Sequence, residues 1–135
     1  MTVLEQEQKI DLIRMANQAR KWAYIPYSHY AVGAALLTES GRIYDGVNIE
    51  NAAYPVSVCA ERVAIFKAVS NGEKDFKAIA VVTKNGGMPC GSCRQVMAEF
   101  GLDMTVIVAD ETEKIVAEKQ VKDLLPGAFT PDSLV

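Results

Sequence analysis

All three cysteines of the chain lie in two short runs, Cys59-Ala60-Glu61 and Pro89-Cys90-Gly91-Ser92-Cys93, and these constrain the fold more than any other feature. A Cys-x-x-Cys pair opening a helix sets two sulfurs one turn apart on one face, which suits metal chelation. Cys59 can add a third thiolate only if the fold brings two distant segments to one point. Zinc held by three protein ligands keeps its fourth tetrahedral position open, as catalytic sites do. Glu61, just after a ligand, is placed to handle the protons of a water there. The bland alternatives are buried structural cysteines or a redox pair, since cysteine often serves as a small core hydrophobe. Confinement of every cysteine to one two-part motif argues against both. A closed structural site completed by His29, the one histidine, would leave Glu61 without a role.

At 135 residues the chain reads as one domain spanning 1–135, able to bury roughly two-thirds of its unfolded surface. Half of the residues are hydrophobic, yet no apolar run approaches the ~20 residues of a membrane span. The start, Met1-Thr2-Val3-Leu4-Glu5-Gln6-Glu7, lacks the basic and apolar regions of a secretory signal. An odd cysteine count suits a reducing compartment, so the expected location is cytoplasmic. With a net charge of −3 and no Lys/Arg cluster, the chain lacks the electrostatic footprint of a nucleic-acid binder. A small molecule is the expected substrate.

Thr2-x-x-Glu5 reads as a capping box, followed by a helical apolar stripe of Leu12, Ile13, Ala16, Ala19 and Ala23 that ends before Pro26. Segments 30–37 and 42–49 predict a hairpin around Glu39-Ser40-Gly41. A second helix over 58–70 is apolar nearly all round and should be buried, which makes Glu61 and Arg62 anomalies: an ionised group buried without partners costs several kcal/mol. Segment 76–83 contains Ala78-Ile79-Ala80-Val81-Val82, too continuously apolar for a sheet wetted on one face. Pro89 suits the first turn of a third helix closed by Gly101. Strands over 104–109 and 115–118 and a short helix over 121–125 complete the order αββαβαββα. That order predicts a three-layer α-β-α sandwich around a mixed five-stranded sheet. Both cysteine runs then follow a strand and open a helix, and positive helix ends favour thiolate.

The pairing of Cys-Ala-Glu with Pro-Cys-x-x-Cys resembles the zinc-dependent nucleoside deaminases, and the surrounding residues are similar to those of the small three-cysteine cytidine deaminases. The similarity runs from Pro26-Tyr27-Ser28 to Leu124-Leu125-Pro126-Gly127-Ala128-Phe129; only 83–88 looks short. It implies one Zn²⁺ per chain on Cys59, Cys90 and Cys93, with Glu61 as proton shuttle. The activity implied is hydrolysis of cytidine and 2'-deoxycytidine to uridine and 2'-deoxyuridine with release of ammonia, a pyrimidine-salvage reaction. Asn48 and Glu50, in the run Asn48-Ile49-Glu50-Asn51-Ala52-Ala53-Tyr54, would read the sugar. A carboxylate accepts from ribose hydroxyls and repels phosphate, which favours a nucleoside. Tyr30, Ala52, Tyr54 and the backbone of Ala60 would also line the substrate site. The family also implies a homotetramer in which Phe129 completes a neighbour's site, and an exposed ring after Pro126-Gly127 supplies a physical motive.

Three thiolates around Zn²⁺ leave one net negative charge, which opposes deprotonation of water. Arg62 and Arg94, each directly after a motif, are the candidates to donate to the sulfurs. Without the resemblance, Glu61 could be half of a buried salt bridge, either arginine a surface residue, and Asn48 and Glu50 a polar strand end. Two rival readings remain: a blasticidin S-type deaminase acting on another cytosine nucleoside, and a non-enzymatic module stabilised by structural zinc.

Overall fold

The computed structural model describes residues 3–134. Helix α1 (Gln6–Ala19) leads through a 3-10 turn to strands β1 (Gly33–Thr38) and β2 (Ile43–Val47). Helix α2 (Ala60–Ser70), strand β3 (Phe76–Val82) and helix α3 (Gly91–Phe100) follow, then β4 (Thr105–Ala109), β5 (Ile115–Gln120) and the single-turn α4 (Val121–Leu124). The strands form one sheet in the order β2-β1-β3-β4-β5. Only β3 and β4 pair in parallel, with Ala78 opposite Thr105 and Val82 opposite Ala109; the other three pairings are antiparallel. The expected mixed sheet between helical layers is therefore borne out.

Burial on both faces explains the unbroken apolar run in β3. Ala78, Ala80 and Val82 pack with Leu12, Ile13 and Ala16 of α1. Ile79 meets Ala64 and Ile65 of α2 and Met97 of α3 on the other face. Each large side chain taken fully from water contributes about 1.5–3 kcal/mol. Leu12, Leu36, Ile65, Ile79, Met97 and Ile107 are all in that class. No helix among the described residues is long and apolar enough to cross a membrane.

Two expectations need correction. The first concerns the start of α1: Thr2 lies outside the described residues, and Glu5 itself is the N-cap, its amide donating to Gln8 Oε1 at 3.0 Å. The other concerns α2, which is not buried all round. The sheet covers one side, where Ala60, Ala64, Ile65 and Ala68 sit, and leaves Phe66 48 % exposed on the other.

The sheet also sets where α2 and α3 begin. Since β1 is antiparallel to both β2 and β3, those two strands run the same way. Their carboxyl ends lie at one edge, and each feeds the N-terminus of a helix there. Gly46 lets α2 lie directly on β2, because a Cβ at that position would meet the Ala64 amide nitrogen at 2.6 Å. No larger residue could stand there without lifting the amino end of α2 off the sheet.

Candidate metal and substrate site

Cys59 is the N-cap of α2 and Cys90 the N-cap of α3, so both sulfurs stand where backbone N–H groups point outward unpaired. Cys93, one turn into α3, is fully buried, and its amide donates to Cys90 Sγ at 3.5 Å. The sulfurs lie 3.7 Å (Cys59 to Cys90) and 3.3 Å (Cys90 to Cys93) apart, and all three within 4.8 Å of one another. Tetrahedral zinc with bonds of ~2.3 Å would hold its sulfurs about 3.8 Å apart. The donor set therefore fits zinc with one coordination position left over. Among the described residues no other histidine, cysteine or carboxylate joins the cluster, so His29 does not close it.

Electrostatics separates the thiols. Hydrogen bonding from Cys93 and from Arg62 holds Cys59 down at about 5, against the opposing cost of burial. Cys93 is pushed well up, first by its hydrogen bond to Cys59 and then by desolvation. Arg62 Nη2 reaches Cys59 Sγ at 3.5 Å, while its Nε is buried without a partner. Arg94 does not serve the sulfurs as expected. Its guanidinium donates to the Pro89 carbonyl at 2.8 Å and the Leu124 carbonyl at 3.0 Å, because α4 packs within reach of α3. It braces the backbone leading into Cys90 instead.

Glu61 is 3 % exposed, in the first turn of α2. Desolvation raises its carboxyl to about 7, with the neighbouring Cys59 adding to the rise. A carboxyl that changes state near neutrality can both take and give a proton.

These groups open into a cleft of about 460 Å³ whose lining includes Tyr30, Asn48, Glu50, Ala60, Glu61 and Cys90. Asn48 and Glu50 flank Ile49, which is held extended by paired backbone bonds to Val58. The Asn48 side chain donates to the Tyr30 carbonyl at 2.8 Å and accepts from the Val32 amide at 3.0 Å. Glu50 Oε1 accepts from the Tyr27 and Ser28 amides at 3.1 Å, and Oε2 accepts from the Ser28 hydroxyl. That hydroxyl is the main reason its carboxyl lies below the ordinary range. Both side chains are thus oriented by their own chain, with lone pairs to spare for a ligand.

Tyr54 lines the cleft from its rim, edge-on to Tyr27 at 5.8 Å. Ala52 does not line it: the Ala53 amide turns back onto Asn51 Oδ1 at 2.9 Å and leaves Ala52 outside. Phe129 also stands outside the cleft of its own chain, 57 % exposed. Sequence reasoning missed Thr83, Gly87 and Met88, which form one wall. Their only signal was Asn85-Gly86-Gly87, which reads as a turn.

Residues 6–109 match the family model of the cytidine and deoxycytidylate deaminase zinc-binding region. The chain belongs to the cytidine and deoxycytidylate deaminases. A curated cytidine deaminase of Sporosarcina psychrophila is 50 % identical over 125 residues, 91 % of this chain and 92 % of its own length. The crystal structure of a cytidine deaminase from Burkholderia pseudomallei superposes with a TM-score of 0.86 at 41 % identity, covering 93 % of this chain and all of that one. A blasticidin-S deaminase of Bacillus cereus is more distant, at 32 % over 134 residues, 92 % of this chain and 94 % of its own length. In this deaminase the zinc-binding region of the family coincides with the three-cysteine cluster and the buried Glu61.

Proposed function

We propose that this deaminase hydrolyses cytidine and 2'-deoxycytidine to the uracil nucleosides and ammonia. One observation carries the reading: three sulfurs spaced for zinc gather beside the buried Glu61 carboxyl, and Cys59, Cys90 and Glu61 line one cleft of nucleoside size. Zinc on Cys59, Cys90 and Cys93 would lower the pKa of water from about 15.7 towards about 7. Glu61 takes the water proton and passes it to ring N3 as C4 becomes tetrahedral. It then carries the hydroxyl proton to the exocyclic amine, which departs as ammonia. The Arg62 guanidinium offsets thiolate charge at Cys59. The Ala60 amide, in the first turn of α2, is free to hold the base O2.

Asn48 and Glu50 support a sugar-reading role. Because Glu50 stays ionised, a phosphate on the sugar meets a like charge, which costs affinity. Cytidine and deoxycytidine should therefore turn over well. Cytidine monophosphate should be worse by about 100-fold in kcat/KM, and cytosine in DNA worse still. An ammonia-release assay on all four decides it, and equal turnover of nucleotide and nucleoside would remove the Glu50 assignment. Blasticidin S belongs in the same assay; the identity of 50 % to a cytidine deaminase against 32 % to a blasticidin-S deaminase favours cytidine.

The enzyme would work as a cytoplasmic homotetramer with composite sites. Exposed Phe66 and Phe129 support this, as does the absence of Phe129 from the lining of its own chain's cleft. Mixing Glu61→Ala with Phe129→Ala after dissociation and reassembly should regain activity above the mean of the two parents. No gain, with subunit exchange confirmed by mass, would assign Phe129 to its own chain.

A further inference from the structure

The cleft wall leading into Pro89 and Cys90 has no helix or strand to hold it: residues 83–88 are irregular. Thr83, 2 % exposed, accepts from the Gly87 amide at 2.8 Å and closes the turn on itself. Among the described residues, one hydrogen bond ties positions 84–88 to another part of the chain: the Tyr30 hydroxyl donates to Asn85 Oδ1 at 2.6 Å. The Thr83 hydroxyl approaches the same oxygen at 3.4 Å. Tyr30 is itself held at both ends of its backbone. Its carbonyl accepts from Asn48 and its amide donates to Ser28 Oγ at 3.1 Å.

A ring that only packed against a ligand would need no hydroxyl, and this one occupies space that Gly87 leaves free. A Cβ on Gly87 would lie 2.6 Å from the hydroxyl oxygen, closer than side-chain atoms approach, but 3.8 Å from Tyr30 Cζ, an ordinary contact. Gly87 does not adopt the left-handed backbone seen at Gly86, so room for the phenol is what keeps it a glycine.

We propose that Tyr30 is a positioning residue: its hydroxyl, bonded to Asn85 and seated against Gly87, sets the wall at 83–88 and hence how tightly the nucleoside is held. This rests on the nucleoside reading of the cleft. The wall is distinct from the groups that do the chemistry, since Glu61 stands on α2 and Cys90 is braced separately through Arg94 and Pro89.

The test is a cycle of three zinc-loaded variants, Tyr30→Phe, Gly87→Ala and the double substitution, read as KM and kcat for cytidine together with zinc content. Tyr30→Phe should raise KM about tenfold, the worth of one lost hydrogen bond and the ordering it supplied. Its kcat and zinc content should stay within about threefold of the parent. Gly87→Ala, which collides with the hydroxyl, should raise KM more. The double variant should return to the KM of Tyr30→Phe alone, because removing the hydroxyl removes the collision. Backbone amides of 84–88 should also exchange hydrogen faster in Tyr30→Phe than in the parent. An unchanged KM with unchanged exchange in Tyr30→Phe would overturn the proposal, and so would a double variant whose KM is the product of the single effects. A parent enzyme that does not act on cytidine would refute the nucleoside reading instead, and the exchange rates would still decide whether the hydroxyl holds the turn.

Discussion

Glu61→Gln is expected to lower kcat by about 10²–10⁴-fold, the usual contribution of a positioned general acid–base, while zinc content and fold persist. Glutamine nearly matches the carboxyl in size, so the packing at this buried position survives, but an amide cannot carry a proton from water to ring and amine. Steady-state kinetics with metal analysis checks this, and near-parental kcat would leave Glu61 structural. A second readout separates the proton role from packing. The Glu61 carboxyl is raised to about 7 from an ordinary 4.5 by burial. Between those values the folded, metal-free protein binds a proton that the unfolded chain does not. That stabilisation is complete below about pH 4.5 and is lost as pH rises through about 7. The loss is on the order of 3 kcal/mol. The glutamine side chain of the variant has no such proton to lose. The metal-free variant should therefore gain stability relative to the metal-free parent as pH goes from 4.5 to about 8, by denaturant unfolding. A flat difference across that range would mean that Glu61 is not held protonated by its surroundings.

The sheet was legible because burial on both faces imposes a composition that cannot be disguised: Ala78 to Val82 had to lie between two layers. The cysteine runs were legible because metal chelation needs given residue types at given spacing. What stayed hidden depends on partners far away in sequence. Arg94 looks like Arg62 in the sequence, each following its cysteine motif, yet α4 offers the Leu124 carbonyl to Arg94, and nothing local to Arg94 announces that. Helix α2, apolar nearly all round, reads as buried because composition cannot separate a face covered by its own sheet from one such as Phe66 left open. Helix α1 is capped at Glu5, because Gln8 makes from inside the first turn the kind of reciprocal bond that the Thr2-x-x-Glu5 pattern assigned to Glu5. Tyr30 was legible as a ring and not as a hydroxyl, since the value of that oxygen depends on Asn85 arriving from across the cleft.

Cys90→Ala is expected to remove both zinc and turnover and to destabilise the fold, the largest combined effect of any single substitution here. Cys90 lies 3.7 Å from Cys59 and 3.3 Å from Cys93 in a cluster of three mutually close sulfurs, so its loss leaves two sulfur donors where zinc needs three. It is also the N-cap of α3, accepting from the Cys93 amide, and replacing a capping acceptor by alanine costs about 1 kcal/mol. Zinc held there would join Cys59 at the start of α2 to Cys90 and Cys93 at the start of α3. Binding energy at that junction is folding energy, and a chelator applied to the parent should lower its melting temperature. The variant should melt lower than the parent, contain less than about a tenth of its zinc, the level set by weak two-sulfur sites, and no longer respond to chelator. Full turnover in Cys90→Ala, or a zinc-loaded variant that melts with the parent, would show that the metal is held elsewhere and that the cluster at the two helix starts is not the centre of this enzyme.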